Sequence, residues 1–277
     1  MSLKMEIIKS IEYLAENSEL NQNDIYGFKY FDSPLVGFTS IQNLLFRKYK
    51  KIIGDFHLQP EEFFEPPIKE GTVIVWILPV SRIVRESNRL ENRFPSLYWA
   101  LQREYGEKFN MHIRSYIQNF LIKAGYRAVS PMLSDKWQRL DNTEVGIAST
   151  WSERHAAYAA GLGTFSLNDG FITKKGIAHR CGSVITDAVI DSINTVYSNH
   201  LANCLYFNKK QECGMCISRC PAGAITEEGH NKTICDRYTY KTIQKQQGNF
   251  YKVKTTGCGL CQTDVPCEYS IPEEEAI

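Results

Sequence analysis

The sequence predicts a mixed α+β protein in two parts, an α/β body over residues 4–192 and a small cysteine-rich module over residues 193–277. Three observations carry this. Before residue 190 the chain alternates short β-branched runs with segments of helical periodicity. Of its nine cysteines none precedes Cys181, and eight fall between Cys204 and Cys267, which puts a boundary near residues 190–203. Finally, 277 residues that are 43% hydrophobic and 23% charged suffice for one large core plus a satellite module.

The elements of the body follow in order. Ile7, Ile8, Ile11 and Leu14 repeat at helical spacing. Thr72 to Leu78 is rich in β-branched residues and ends at Pro79, the pattern of a buried strand. Phe109, Ile113, Tyr116, Ile117, Phe120 and Leu121 mark one face of a long helix that stops near Gly125, and Arg127 to Ser130 suits the next strand. Thr150-Trp-Ser-Glu153 has capping-box spacing ahead of a helix from Arg154 to Ala160. Its alanines at 156, 157, 159 and 160 make that helix thin, suited to tight packing or to the approach of a flat ligand. Phe171 to Thr173 and Ser183 to Thr186 read as short strands, and Glu61 to Pro67 as a surface loop or a lid.

A formal charge of +1 argues against a dedicated nucleic-acid binder. No run of about 18 apolar residues marks a membrane span. The start, Met1-Ser2-Leu3 before a second Met5, lacks the apolar stretch of a signal peptide. A cytoplasmic location is the expectation, and in that compartment clustered cysteines point to metal rather than to disulfides.

Cys213-Gly-Met-Cys216-Ile-Ser-Arg-Cys220-Pro221 matches the C-x2-C-x3-C-P end of a bacterial ferredoxin run. Two thiolates three residues apart reach adjacent irons from one tight loop, while the cysteine before proline faces the other cluster. Gly257-Cys258-Gly259-Leu260-Cys261 is a second C-x2-C loop. The crossing rule assigns Cys204, Cys213, Cys216 and Cys267 to one 4Fe-4S cluster and Cys220, Cys235, Cys258 and Cys261 to the other. Two spacings depart from the ferredoxin pattern. Residues Leu205 to Glu212 must bulge out between Cys204 and Cys213, and proline precedes Cys267 instead of following it. Zinc bound by four thiolates is the competing reading of any C-x2-C pair. The C-x3-C-P ending and the two interleavable quartets favour iron–sulfur.

Upstream, Glu153-Arg154, Ala160-Gly161-Leu162-Gly163, Asn168, Ile172-Thr173 and Gly182-Ser183-Val184-Ile185-Thr186-Asp187, followed by the double cysteine motif, resemble the epoxyqueuosine reductases and the related reductive dehalogenases. The resemblance covers roughly residues 70–270. It implies a nitroreductase-like α/β domain followed by a ferredoxin-like domain with two 4Fe-4S clusters, which relay electrons to a cobalamin. Gly161, Leu162, Gly163 and Asn168 would then lie against the corrin or its tail, and a ferredoxin or flavodoxin would be the electron donor. A flavin on the same scaffold, or a ferredoxin-like carrier whose α/β domain is a scaffold only, are the other readings.

Three departures bear on the substrate. The aspartate that this family carries before the E-R pair is missing from Ile147-Ala148-Ser149-Thr150. Asp141 and Glu144 do not align with it. Ser166 and Leu167 replace a glycine and a basic residue, and only about ten residues follow Cys267, too few for a helical-repeat tail that grips tRNA. The expectation is a reductase acting on a small molecule, with tRNA an unlikely substrate and no membrane partner. Cys181, His155, His179 and Tyr158 flank the presumed cofactor region as further candidates, each more ordinary as a packed or hydrogen-bonded core residue.

Overall fold

The computed structural model describes residues 1–192, 197–208 and 213–273. The supposed boundary therefore lies partly, and the bulge before Cys213 half, outside the described residues.

The body is built on a four-stranded antiparallel sheet. In chain order its elements are α1 (Leu3–Asn17), β1 (Leu35–Ser40), α2 (Leu44–Ile52), β2 (Thr72–Pro79), α3 (Arg82–Arg89), α4 (Leu97–Lys123) and β3 (Ala128–Val129). There follow β4 (Arg139–Thr143), β5 (Gly146–Ser149), α5 (Glu153–Ala159), β6 (Gly163–Phe165), β7 (Phe171–Thr173) and β8 (His179–Thr186). The strand order is β1-β2-β8-β3. Every residue of β2 is buried, because both faces of this central strand are covered.

The period of two divides β2 between two cores. Ile74, Trp76 and Leu78 face α1 and α4, packing on Ile7, Ile11, Phe109, Ile113 and Ile117. Val73, Val75 and Ile77 face α2 and α5, packing on Phe46, Trp151, Ala156 and Ala157. Each such fully buried side chain contributes roughly 1.5–3 kcal/mol. Gly182 stands opposite Trp76 in the β2–β8 register, and any side chain there would strike the indole.

Several expectations are corrected. The α4 face includes Phe109, Ile113, Ile117 and Leu121, but Tyr116 points to solvent. Thr150 and Glu153 form no capping box: Ser152 precedes the helix, Thr150 Oγ1 donates to the Lys136 carbonyl, and Glu153 turns to Arg114. The thin alanine helix is thin because it lies on the sheet, with Ala156, Ala157, Ala159 and Ala160 all buried. The stretch Glu61 to Pro67 is a surface segment folded over the domain: Phe63 and Phe64 belong to the second core, while Glu65, Pro66 and Pro67 are exposed.

The cysteine-rich part adds the short helices Leu205–Asn208 and Met215–Ser218, then α6 (Lys232–Arg237), a π-helical turn Tyr238–Ile243, and α7 (Gln244–Tyr251). Among the described residues no helix is long and apolar enough to cross a membrane.

Candidate functional site

Cys204, Cys213, Cys216 and Cys267 line one cavity, whose remaining wall is mostly apolar, with Ile172, Ile177, Tyr206 and Val265. Cys204 follows a turn closed by its N–H donating to the Leu201 carbonyl (3.0 Å), and Cys216 sits on the helix Met215–Ser218. Cys267 is placed by the backbone: its carbonyl accepts from the Ile177 N–H at 2.8 Å, so the segment runs alongside the β7–β8 turn. Burial raises the Cys204 thiol. Burial, with Cys204 and Cys213 adding to it, pushes Cys216 up to about 12. Cys267 is raised by burial and by Cys204, Cys216 and Cys213.

The second group gathers around the loop Gly257–Cys261. Burial pushes Cys258 up to about 12, with Cys235 and Cys220 as its thiol neighbours. Cys261 is raised by burial and then by Cys258, Cys235, Cys216 and Cys220. Cys235 lies on α6, whose N-cap Asn231 accepts from the Ile234 N–H (3.0 Å), and the Ala224 N–H donates to Cys220 Sγ (3.3 Å). The neighbours of Cys267 and of Cys258 thus follow the crossed pairing, and Cys261 touches on both groups through Cys216.

All nine cysteines are free thiols. A thiol whose ionisation is opposed by burial and by neighbouring thiolates becomes a ligand when cationic metal supplies the missing charge. As donor sets, two groups of four thiols each suit iron–sulfur clusters. Among the described residues no three His, Cys, Asp or Glu side chains stand close enough together to hold a single metal ion as they are.

The loops are tied to the body by charges that the cysteine spacing does not announce. Glu268, 1% exposed, accepts from Arg85 Nη1 (2.9 Å), from Arg89 Nε (2.7 Å) and Nη2 (2.9 Å), and from the Asp264 N–H (2.8 Å). Arg219, between Cys216 and Cys220, donates to the carbonyls of Leu260 (3.2 Å), Thr263 (3.1 Å) and Glu91 (2.9 Å). It therefore joins the first cysteine motif, the second loop and the α3–α4 connection. The signal for these residues is faint: charged side chains next to a ligand position, otherwise indistinguishable from surface ones.

The residues expected against a corrin have other roles. Gly161, at φ +70, ends α5 by donating its N–H to the Tyr158 carbonyl, while the Leu162 N–H reaches Ala157. Leu162 fills the space left by Gly37, and Gly163 faces the Ile172 carbonyl across the β6–β7 hairpin with no room for a Cβ. Asn168 Oδ1 accepts from Ser166 Oγ (2.7 Å) and the Gly170 N–H (2.9 Å), and its Nδ2 donates to the Cys261 carbonyl (2.9 Å). Asn168 also lines the cavity of the first quartet, so it bridges the two cysteine groups instead of cradling a flat ring. The segment Gly161–Asn168 does not fit the role of a corrin cradle.

The flanking candidates are likewise engaged. His155 Nδ1 meets Ser152 Oγ at 2.7 Å and burial pushes its pKa down to about 3. His179 Nε2 lies 2.6 Å from the Phe171 carbonyl, and burial pushes it down to about 4. Tyr158 donates its hydroxyl to the Tyr197 carbonyl (3.2 Å), and burial pushes Cys181 up to about 12. Asp141 is held at the surface by Arg139 (2.6 Å).

A further cavity of about 580 Å³ opens beside Leu58, Phe64 and Thr150, but its cation, Lys136, is already engaged by Glu62 and Glu65. Elsewhere, between α4 and the start of β8, Arg180 pairs with Glu107 (3.8 Å), while Arg103 donates to the Tyr240 hydroxyl (3.3 Å) and packs on Gly257, next to Cys258.

An antiparallel α+β body carrying this cysteine-rich region defines the fold. That fold is the one seen in epoxyqueuosine reductases. A selenomethionine-labelled epoxyqueuosine reductase superposes with a TM-score of 0.54 at 17% identity, over 96% of this chain and 65% of that one. The enzymes from Streptococcus thermophilus (TM-score 0.53, 14% identity, 97% of this chain, 66% of that one) and Bacillus subtilis (0.51, 16%, 98%, 67%) align similarly. The chain thus spans about two thirds of the length of these structures. Reductive dehalogenases superpose with TM-scores of 0.48 and 0.47. No family model and no curated protein matches the sequence.

Proposed function

We propose that this protein is an iron–sulfur oxidoreductase in which Cys204, Cys213, Cys216 and Cys267 hold one 4Fe-4S cluster and Cys220, Cys235, Cys258 and Cys261 the other. The observation that carries the reading is that Cys204, Cys213, Cys216 and Cys267, far apart in the sequence, line one cavity, while Cys235 and Cys220 are the thiol neighbours of Cys258. Residues 4–192 then form the nitroreductase-like domain and residues 193–277 the ferredoxin-like one. The clusters, when bound, supply one-electron transfer, and the cysteine loops hold them side by side. Ile172 and Ile177 of the body, with Val265 of the cysteine-rich part, shield the first quartet. Electrons from a ferredoxin or flavodoxin would pass to a bound acceptor, for reduction of a small molecule rather than of tRNA.

A cobalamin-type acceptor is what the resemblance implies. Gly161, Leu162, Gly163 and Asn168 are engaged in the protein's own packing and hydrogen bonds, which leaves them no visible feature dedicated to such a cofactor. The same observation favours a second reading, an electron-transfer protein whose α/β domain is scaffold only. Anaerobic iron and sulfide analysis, with EPR before and after adding cob(II)alamin, tests both. About eight irons and a changed cobalt signal support the reductase. Eight irons with an unchanged cobalt signal leave the carrier, and fewer than four irons overturn both.

A further inference from the structure

From Lys232 to Tyr251 the chain runs without a break through α6, the turn Tyr238–Ile243 and α7. Two faces of this helical rod differ. Cys235, Thr239 and Ile243 recur every four residues and turn inward: Thr239 and Ile243 are buried, and Cys235 Sγ lies 3.9 Å from Thr239 Oγ1. Arg237, Lys241 and Lys245 recur at the same interval two positions on, roughly 200° around a helix, and all three are exposed. The rod is fastened from its inner side. The Tyr251 hydroxyl donates to the Pro95 carbonyl (2.6 Å), and Val253 joins the first core.

The charge of the outer face is not cancelled. Between residues 232 and 254 stand Lys232, Arg237, Lys241, Lys245, Lys252 and Lys254 against a single acid, Asp236. Asp236 is taken by Arg139 of the body, at 2.8 Å. Among the described residues, Arg237, Lys241, Lys245, Lys252 and Lys254 form no ion pair. The chain as a whole carries only +1, so the rest of the molecule is net acidic and the contrast is local. Such a patch steers an oppositely charged partner and speeds its encounter. Phe250, 78% exposed at the end of α7, adds an aromatic contact of the kind enriched at protein interfaces.

We propose that the outer face of this rod, Arg237, Lys241 and Lys245, docks an acidic one-electron carrier protein of the flavodoxin or ferredoxin kind, which delivers electrons to the second quartet. The docking stands on the charge pattern and the burial; the destination of the electron rests on the oxidoreductase reading above. A carrier seated there is separated from Cys235 by the width of one helix, roughly 10 Å. One electron leaves the carrier and enters the cluster held by Cys220, Cys235, Cys258 and Cys261; no bond breaks and no proton moves. A nucleic acid is the weaker occupant, because a long polyanion would also run against the net acidic remainder of the surface.

The test is stopped-flow reduction of the anaerobically reconstituted protein by reduced flavodoxin and by reduced ferredoxin at low ionic strength. It compares wild type, K241E/K245E and K48E/K51E, which makes the same change of charge on exposed lysines of the body. Iron, sulfide and the rate of reduction by dithionite are measured on the same samples, so damage to the clusters or the fold is read separately from loss of docking. The expected result is that at least one carrier reduces wild type, and that K241E/K245E slows it by about tenfold. Added salt should shrink that difference, K48E/K51E should match wild type, and dithionite should reduce all three alike. Equal rates for K241E/K245E and wild type, or no reduction of iron-loaded wild type by either carrier, overturn the docking face and leave the oxidoreductase reading standing. Wild type that takes up no iron overturns both. If K241E/K245E weakens binding of an RNA stem-loop by about tenfold while the carrier rates stay equal, the face serves nucleic acid and the proposal falls.

Discussion

The two cysteine quartets adjoin, yet their surroundings differ in kind. Around Cys204, Cys213, Cys216 and Cys267 the wall is Ile172, Ile177, Leu205 and Val265. Around Cys220, Cys235, Cys258 and Cys261 stand charges and hydroxyls. Burial works against the charge of His230, but hydrogen bonds from it to Asp169 and Cys235 raise its pKa to about 9. Cys258 feels Arg219, and Arg103 leans on Gly257. An apolar wall disfavours added negative charge, whereas hydrogen bonds and cations favour it. With clusters bound as proposed, the comparison would rank the second as the more easily reduced and the first as the more insulated.

The largest effect should come from the thiols. C213S should remove the first cluster and leave the second, so that iron falls from about eight to about four per chain with one EPR signal retained. C258S should do the opposite. Equal loss of both clusters in either variant would break the distinction between the quartets.

Next in size is the anchor of Cys267. Removing a buried ion-pair partner leaves cations unpaired and costs roughly 3–5 kcal/mol. Here Arg89 is partly exposed (35%), so about 3 kcal/mol is expected for E268A in urea unfolding. The first cluster should be lost before the second. If iron stays full while stability drops, Glu268 supports the fold alone.

Acid should act on the body and not on the quartets. Burial holds His57 at about 4 and His155 at about 3, below the usual value of about 6.5. Both are neutral in the folded protein and protonate first when unfolded. Stability is therefore complete above about pH 6.5 and declines as pH falls toward about 4, by up to about 1 kcal/mol per pH unit for each histidine. Unfolding free energies at pH 7 and 5 should show the decline, and H57Q should make it shallower. The smallest effect is expected from R139A, whose surface pairs with Asp141 and Asp236 should change stability by less than about 0.5 kcal/mol.

The sequence announced what depends on local periodicity. Thr72–Leu78 reads as a buried strand because its neighbours along the chain are all apolar, and α4 shows in Phe109, Ile113 and Ile117. The C-x2-C and C-x3-C-P spacings are likewise local, so the cysteine motifs can be read along the chain. Contacts made across long separations were not. Asn168 resembles a cofactor contact until its Nδ2 is seen on the carbonyl of Cys261, 93 residues away. Glu268 and Arg89, 179 residues apart, look like ordinary surface charges until the fold buries the carboxylate between two guanidiniums. Glu153 reads as a capping residue because Arg114 lies 39 positions away and is invisible to a four-residue pattern.

The backbone bond from Ile177 to Cys267 carries a consequence for biogenesis. Cys261, the last thiol of the second quartet, is translated before Cys267, the last thiol of the first. A chain emerging from the ribosome thus completes its more polar metal pocket earlier. The apolar one stays open on one side until the 267–269 segment folds back along the β7–β8 turn. Under the proposed ligand sets, metal delivered during synthesis would fill the two pockets in the reverse of their order in the chain.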